Sequence, residues 1–331
     1  MSGITPLLNS TNSPLFAASG MLSGVVRRNV LIFHLGALGD FVVSWPLALA
    51  LGRLYPQSRI VYVTHGEKGK LAQKALRTDS ADIETGWHHL FGDRASLPET
   101  SRKLLENAHL VFTFIAKSED AWSENVRAIA PEANVVYLEP RPPESSDFGG
   151  HISQWIGDQL VVNPVIKTGF DQIMRSIAQR GVGYKRSPEG TICVHPGGGA
   201  AAKRWPAKHF VQLVRKLMKG RHHVRVLIGE VEKEQLAKED LDHFAAVAQL
   251  VEPKSYVELL DHLGTADALV CNDTGPGHLA GIIGTPTFAI FGPASNADRW
   301  RPLGPHVHIK RAEDLNHLSV EEVLKWVETE L

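Results

Sequence analysis

The sequence predicts an α/β protein of two parallel-sheet domains facing a central cleft. Three observations lead there. The first is length: 331 residues, against roughly 100–200 per domain. The second is an alternation of short, wholly apolar runs with helix-like stretches. That is the pattern of strands buried on both faces by helices. The third is that the alternation stops in a Pro- and Ser-rich break and then begins again. Composition agrees: 43% of residues are hydrophobic and 21% charged, which supports real cores and excludes a disordered or fibrous chain.

Taken in order, VLIFH (30–34) reads as a buried strand and 40–51 as the helix after it. RIVYVT (59–64) is a second strand and 67–76 a helix. LVFTFI (110–115) is a strand, 119–129 a helix and 134–138 another strand. PRPPESSDFGG (140–150) reads as loop. Helical stretches at 152–162 and from Phe170 onward end the first half, and a linker falls near 180–190.

The second half repeats the scheme. Residues 191–195 form a strand, and Pro206 can open a helix, where its missing N–H costs little. Phe210, Leu213, Val214 and Leu217 share one face of that helix. Strands follow at 224–228 and 268–271, a helix at 278–283 and a strand at 287–291. Ser319 and Glu322 make a capping box for a last helix with an apolar stripe of Val320, Val323, Leu324 and Val327. The expected division is a flexible extension over 1–28, Rossmann-like domains over 29–185 and 186–312, and a closing segment over 313–331.

Charge and cysteine content narrow the class. There are 35 Lys and Arg against 36 Asp and Glu, so no long-range field draws nucleic acid, and none is expected as a partner. Cys193 and Cys271 are the two cysteines, both in strand-like runs. They exclude a disulfide framework and suit buried, reduced thiols and a cytoplasmic setting. No apolar run reaches the roughly 18 residues of a membrane span; the nearest, 41–51, contains Pro46. Residues 1–24 lack the basic start of a secretory signal. Arg27 and Arg28 behind them offer anionic lipid only a weak anchor.

Ligands of open parallel sheets bind beyond the carboxyl ends of the strands. After the first strand stand Gly36, Gly39 and Asp40. Glycines admit close backbone approach, and the helix start favours an anion. The spacing is not the dinucleotide fingerprint, which argues against a nicotinamide enzyme. Asp40 reads either as a helix cap or as a general base in the cleft. After His195 come Gly197, Gly198, Gly199, Lys203 and Arg204 ahead of a helix start. Glycines, cations and a helix start together suit a diphosphate. After Cys271 come Asp273, Thr274, Gly275, Gly277 and His278, again at a helix start. Glu230 and Glu232 follow another strand, where a carboxylate can accept from ribose hydroxyls. Metal chemistry has weak support. No HExxH or Cys/His cluster occurs, and Asp240 and Asp242 sit in a charged, helix-like stretch.

Four segments now stand in order: LGALGD (35–40), HPG with KRWP (195–206), DTGPGHLA (273–280) and GTPTFAIFGP (284–293). Together they resemble glycosyltransferase family 9, the ADP-heptose:lipopolysaccharide heptosyltransferases. The likeness runs from about residue 29 to the C-terminus and is thinner between 64 and 190. It implies a GT-B fold with the donor mostly on the C-terminal domain and the acceptor on the other. It also implies a last helix that crosses back onto the first domain. The implied activity is inverting transfer of heptose from ADP-heptose to a lipopolysaccharide-core-type or related glycan, free or lipid-linked. No cofactor or obligatory metal is implied, and a lipid-linked acceptor would bring the protein to the inner face of the cytoplasmic membrane.

Carried onto this sequence, the resemblance makes Asp40 the general base and Lys203 the contact to the donor phosphates. Gly36, Gly39, His195, Gly197, Gly198, Asp273, Thr274, Gly275, Gly277 and His278 would line the donor site, and Glu232 or Glu230 would approach the ribose. Two departures bear on substrate: the small, apolar loop 198–202, and Gly277 where a bulkier residue is common. A transferase using another nucleotide sugar, or a binding protein without turnover, would use the same residues.

Overall fold

The computed structural model describes residues 28–331. The expected extension over 1–28 therefore lies, except for Arg28, outside the described residues.

The first domain is a five-stranded parallel sheet. Its strands are β1 Asn29–Phe33, β2 Arg59–Thr64, β3 Asp79–Asp82, β4 Ala108–Thr113 and β5 Asn134–Tyr137, in the order β3-β2-β1-β4-β5. The second is a six-stranded parallel sheet of β6 Thr191–His195, β7 His223–Leu227, β8 Gln249–Val251, β9 Ala268–Asn272, β10 Thr287–Phe291 and β11 Val307–Arg311. Its order is β11-β10-β9-β6-β7-β8. In each sheet the order reverses beside the first strand, β1 or β6. Crevices open at such reversals, beyond the strand ends. In β1, Val30 lies opposite Ile60 on one side and Leu110 on the other. Both cysteines are buried within strands. Burial lifts each thiol to about 12.

Central strands follow the sequence reading; three edge strands do not. β3 (DSAD), β8 (QLV) and β11 (VHIKR) lack the apolar run that marked the others. An edge strand is covered on fewer sides, so polar residues are tolerated there.

The expected helix over 40–51 is two helices, Leu38–Val43 and Trp45–Leu54. Pro46 has no N–H to continue the ladder, and the Ser44 hydroxyl closes the break by donating to Phe41 O at 2.7 Å. Pro206 is the residue before helix Ala207–Lys219 rather than its first member. Asn163 caps a helix over Pro164–Arg180 that starts well before Phe170.

Three apolar clusters form the core. One lies on the outer face of the first sheet and contains Leu31, Phe33, Trp87 and Trp122. Another lies on the outer face of the second sheet, around Phe210, Leu217 and Phe288. The third is shared: it joins Val30, Phe41 and Leu71 of the first domain to Leu260, Leu279 and Ile282 of the second. The two domains are thus packed together behind the cleft.

The last helix corrects an expectation. Val320–Glu330 does not return to the first domain. It buries Val320, Val323 and Val327 against helix Ala207–Lys219 of the second. Trp205 Nε1 donates to Leu318 O at 3.0 Å and fixes its approach. On the first domain it is Pro164–Arg180 that packs on Trp45–Leu54, with Gly169 giving Leu54 room.

Between Arg180 and β6 the chain crosses from one domain to the other. Gly181 has φ +65°, and a Cβ there would stand 2.6 Å from Ile282 O. Its amide still donates to Ile177 O at 2.9 Å in the preceding helix. From the next residue on, the segment is bonded to the second domain: Val182 N to Ile282 O at 2.9 Å, Ser187 N to Gly264 O at 3.0 Å and Glu189 N to Thr265 O at 3.0 Å. Among the described residues, no helix is long and apolar enough to cross a membrane.

Candidate functional site

The carboxyl ends of the two sheets face a cleft of about 780 Å³. That lies within the range of ligand sites, about 300–1,000 Å³. Ala37, Leu38 and Gly39 line it from the first domain, Gly198, Gly199, Thr274 and Gly275 from the second. His195, Glu230 and Glu232 also line it. Apolar Leu227, Ile228, Pro253 and Leu259, with Tyr256, add a wall.

The glycines around the cleft are explained by close approach. A Cβ on Gly36 would meet the Asp40 Cβ at 2.7 Å and His34 at 2.8 Å. One on Gly39 would stand 3.1 Å from the His278 ring, and one on Gly275 3.0 Å from Leu38. The first turns of helices Leu38–Val43 and Gly275–Ile282 therefore touch across the domain boundary. One on Gly197 would fall 2.1 Å from Glu232 Oε1. Gly277 is close to the Cys271 sulfur, 2.9 Å from an added Cβ, so a bulkier residue has no room there.

Asp40 is in the first turn of its helix, whose cap position is Ala37. It is not a capping carboxylate. Its side chain is 15% exposed and is held by Arg141, whose Nη2 lies 2.8 Å from Oδ2 and 3.1 Å from Oδ1. Arg141 stands in the loop after β5, with its guanidinium 5.2 Å from the Trp300 ring centroid of the second domain. The same loop reaches that domain again through His151, whose Nε2 meets Arg301 O at 2.8 Å.

On the other side, Lys203 ends a short 3-10 turn, and its Nζ lies 3.4 Å from Asp273 Oδ2. Ser295 Oγ donates to the same oxygen at 3.1 Å. Lys203, Asp273, Asp40, Gly36, Gly197, Gly277 and His278 are not among the residues that line the cleft. Gly39, His195, Gly198, Glu232, Thr274 and Gly275 are the expected donor-site residues that the structure brings onto it.

Two expected contacts are already committed within the protein. Thr274 caps helix Gly275–Ile282 by accepting from Gly277 N at 3.3 Å, and Pro276 has no N–H. Of the first three helical positions, Gly275 alone retains an amide for an anion. Glu232 is buried, accepts from Gly229 N at 2.9 Å and lies 3.6 Å from His195 Nε2. Glu230 is exposed on the lining, so the two glutamates divide the roles between them, Glu232 bracing the loop and Glu230 facing outward.

The histidines here are kept neutral by burial. His195 is lowered by burial, against the pull of Glu232. His278 is lowered the same way, against Asp273 and Asp40. His34, beneath the Gly36 turn, is driven to about 3 by burial and by the Lys68 charge. His151 is driven to about 4 by burial.

Three residues escaped the sequence reading. Asn272 is buried and donates to Pro196 O at 3.0 Å and Gly197 O at 2.9 Å, while its Oδ1 accepts from Trp205 N at 3.0 Å. It ties together both ends of the glycine-lysine loop. Arg141 follows the carboxyl end of β5, the same kind of position as the other site residues. Lys68 shares a helix face with Leu71, Ala72 and Ala75; a cation on an apolar stripe was the available signal. Among the described residues, no group of three or more His, Cys, Asp or Glu is placed to hold a metal ion.

Two parallel-sheet domains that close on a ligand cleft at their strand ends are the GT-B arrangement. The heptosyltransferase WaaC of E. coli with ADP superposes with a TM-score of 0.64 at 16% identity, over 92% of this chain and 100% of that one. A family 9 glycosyl transferase from Veillonella parvula gives 0.64 at 17%, over 93% and 98%. The E. coli ADP-heptose lps heptosyltransferase II gives 0.64 at 17%, over 91% and 98%. No curated protein matches the sequence. Residues 165–325 match the model of glycosyltransferase family 9 (heptosyltransferase). The family match thus covers the second domain and the helix before it, and the solved structures share the fold of the whole chain.

Proposed function

We propose that the protein is an inverting, metal-independent transferase that moves heptose from ADP-heptose to a lipopolysaccharide-core-type or related glycan. The observation that carries this is the cleft itself. It sets a glycine loop and a helix N-terminus of one domain against the Leu38–Gly39 turn of the other, with the Asp40 carboxylate one residue beyond. Solved relatives of the same fold are described with ADP and with ADP-2-deoxy-2-fluoro heptose, which supports the choice of donor.

In this scheme an acceptor hydroxyl attacks the anomeric carbon from the face opposite the diphosphate. The new bond is acceptor oxygen to anomeric carbon. The bond that breaks joins that carbon to the diphosphate, which leaves with the electron pair. Asp40 takes the hydroxyl proton. The transition state has oxocarbenium character. Lys203 and the amides of Gly198, Gly199 and Gly275 meet the charge that builds on the leaving group. Arg141 is 61% exposed, so giving up one Asp40 oxygen to the incoming hydroxyl costs it little. Closure of the cleft excludes the water that would otherwise hydrolyse the donor. The setting is cytoplasmic, at the inner membrane face if the acceptor is lipid-linked.

The test is calorimetry with ADP-, UDP- and GDP-sugars, followed by transfer assays on free and lipid-linked glycans. Binding and turnover of ADP-heptose support the reading. Preference for a UDP- or GDP-sugar overturns the donor. Binding without transfer to any acceptor makes the protein a nucleotide-sugar binder.

A further inference from the structure

Lys68 is the third residue of helix Gly66–Leu76 and only 6% exposed, yet it lines the cleft. Its ammonium donates to Gly36 O at 2.6 Å and more loosely to Leu35 O at 3.4 Å. Three carboxylates around the cleft are paired with other cations. Asp40 is turned to Arg141 and Glu67 to Lys70, while Glu252 is held by both Lys233 and Lys254. Among the described residues that line the cleft, Lys68 is the lysine with no carboxylate partner.

Burying a cation against carbonyls alone is costly. Burial accordingly pulls the Lys68 ammonium below the usual lysine range, and the Asp40 charge opposes that only in part. An ammonium has three N–H groups. Two face the Leu35–Gly36 turn, and the third finds no partner among the described residues. A bound anion would supply both the missing acceptor and the missing charge.

We propose that Lys68 binds the donor's diphosphate from the N-terminal side of the cleft, so that this anion bridges the two domains. The proposal rests on the nucleotide-sugar reading above. It places cations on opposite domains, Lys68 on one and Lys203 on the other, with the diphosphate between them. The donor then draws the cleft shut as it binds, and the same lysine holds the turn that carries Asp40.

The test titrates ADP and adenosine into the unmodified protein, Lys68→Met and Lys68→Gln by calorimetry. Both variants should lose ADP affinity by about 10- to 100-fold, the scale of one charge-assisted hydrogen bond. Adenosine affinity should hold, which also reports an intact fold. Gln keeps a donor for Gly36 O without the charge. If Lys68→Gln binds ADP as tightly as the unmodified protein, Lys68 only braces the turn and the proposal falls. If the unmodified protein prefers UDP or GDP, the ADP reading fails while the Lys68 proposal is judged by the same ratio on that nucleotide. Binding of no nucleoside diphosphate overturns both.

Discussion

Asp40 and Lys203 stand on opposite domains, and their replacement should fail in different ways. Asp40→Ala should lower turnover by roughly 10²–10⁴-fold with donor affinity nearly intact. Near-normal rates would remove it from the base role. Lys203→Ala should cost the transition state about 3 kcal/mol, the worth of one strong oxyanion donor; an unchanged kcat with weaker folding would make its pair with Asp273 structural. A third expectation concerns the buried histidines. His34 and His151 are held neutral down to about 3 and about 4, against 6.5 when unfolded. Between those limits the unfolded chain binds the extra protons. Stability is therefore full above pH 6.5 and falls as the pH drops, by about 1.4 kcal/mol per unit for each histidine. Urea midpoints at pH 7, 6 and 5 read this directly, and a flat profile would mean that neither ring is buried as described.

Among the elements, legibility followed burial. β1, β2, β4, β6, β9 and β10 carry unbroken apolar runs, because both faces of a parallel sheet are covered. β3, β8 and β11 lie at edges and carry no such run. The motifs beyond β1, β6 and β9 were visible because glycines and a helix start coincide at each. The contacts that hold them were not. Asn272 looks like any strand-end polar residue until the chain folds Pro196, Gly197 and Trp205 around it. Arg141 meets Asp40 across 101 positions of sequence, a pairing that no local pattern encodes. Asn272→Leu should leave two carbonyls and one amide of the loop without a partner, lowering stability by about 3 kcal/mol. It should also weaken donor binding, because the loop that carries Lys203 would lose its tether. Unchanged chemical denaturation would show that water replaces the side chain without loss.

At the level of the whole molecule, the second domain depends on its C-terminus. Val320, Val323 and Val327 are almost fully buried, and each such side chain contributes about 1.5–3 kcal/mol. Their sum approaches the stability of an ordinary domain. Deleting residues 319–331 should therefore unfold the second domain, read as loss of its cooperative thermal transition and rapid proteolysis after Thr191. A truncated protein with an unchanged transition would contradict the packing. The first domain keeps its own outer-face cluster but loses its partners in the shared one, so it should be destabilised as well rather than left unchanged.

Because the final helix stays with the second domain, the polypeptide passes between the lobes once among the described residues. Gly181 is hydrogen-bonded backwards and Val182 forwards, so covalent control over the lobes' relative orientation narrows to a few torsion angles at a single pivot. What else sets the angle is non-covalent: the shared apolar cluster, and with it the Leu38–Gly275 touch, the Lys74–Asp261 pair at 2.5 Å and the His151–Arg301 link. A tether of this kind permits twisting as well as opening. The protein's resting posture is then governed by packing across the lobes, the shared apolar cluster together with these polar contacts, and not by the course of its backbone.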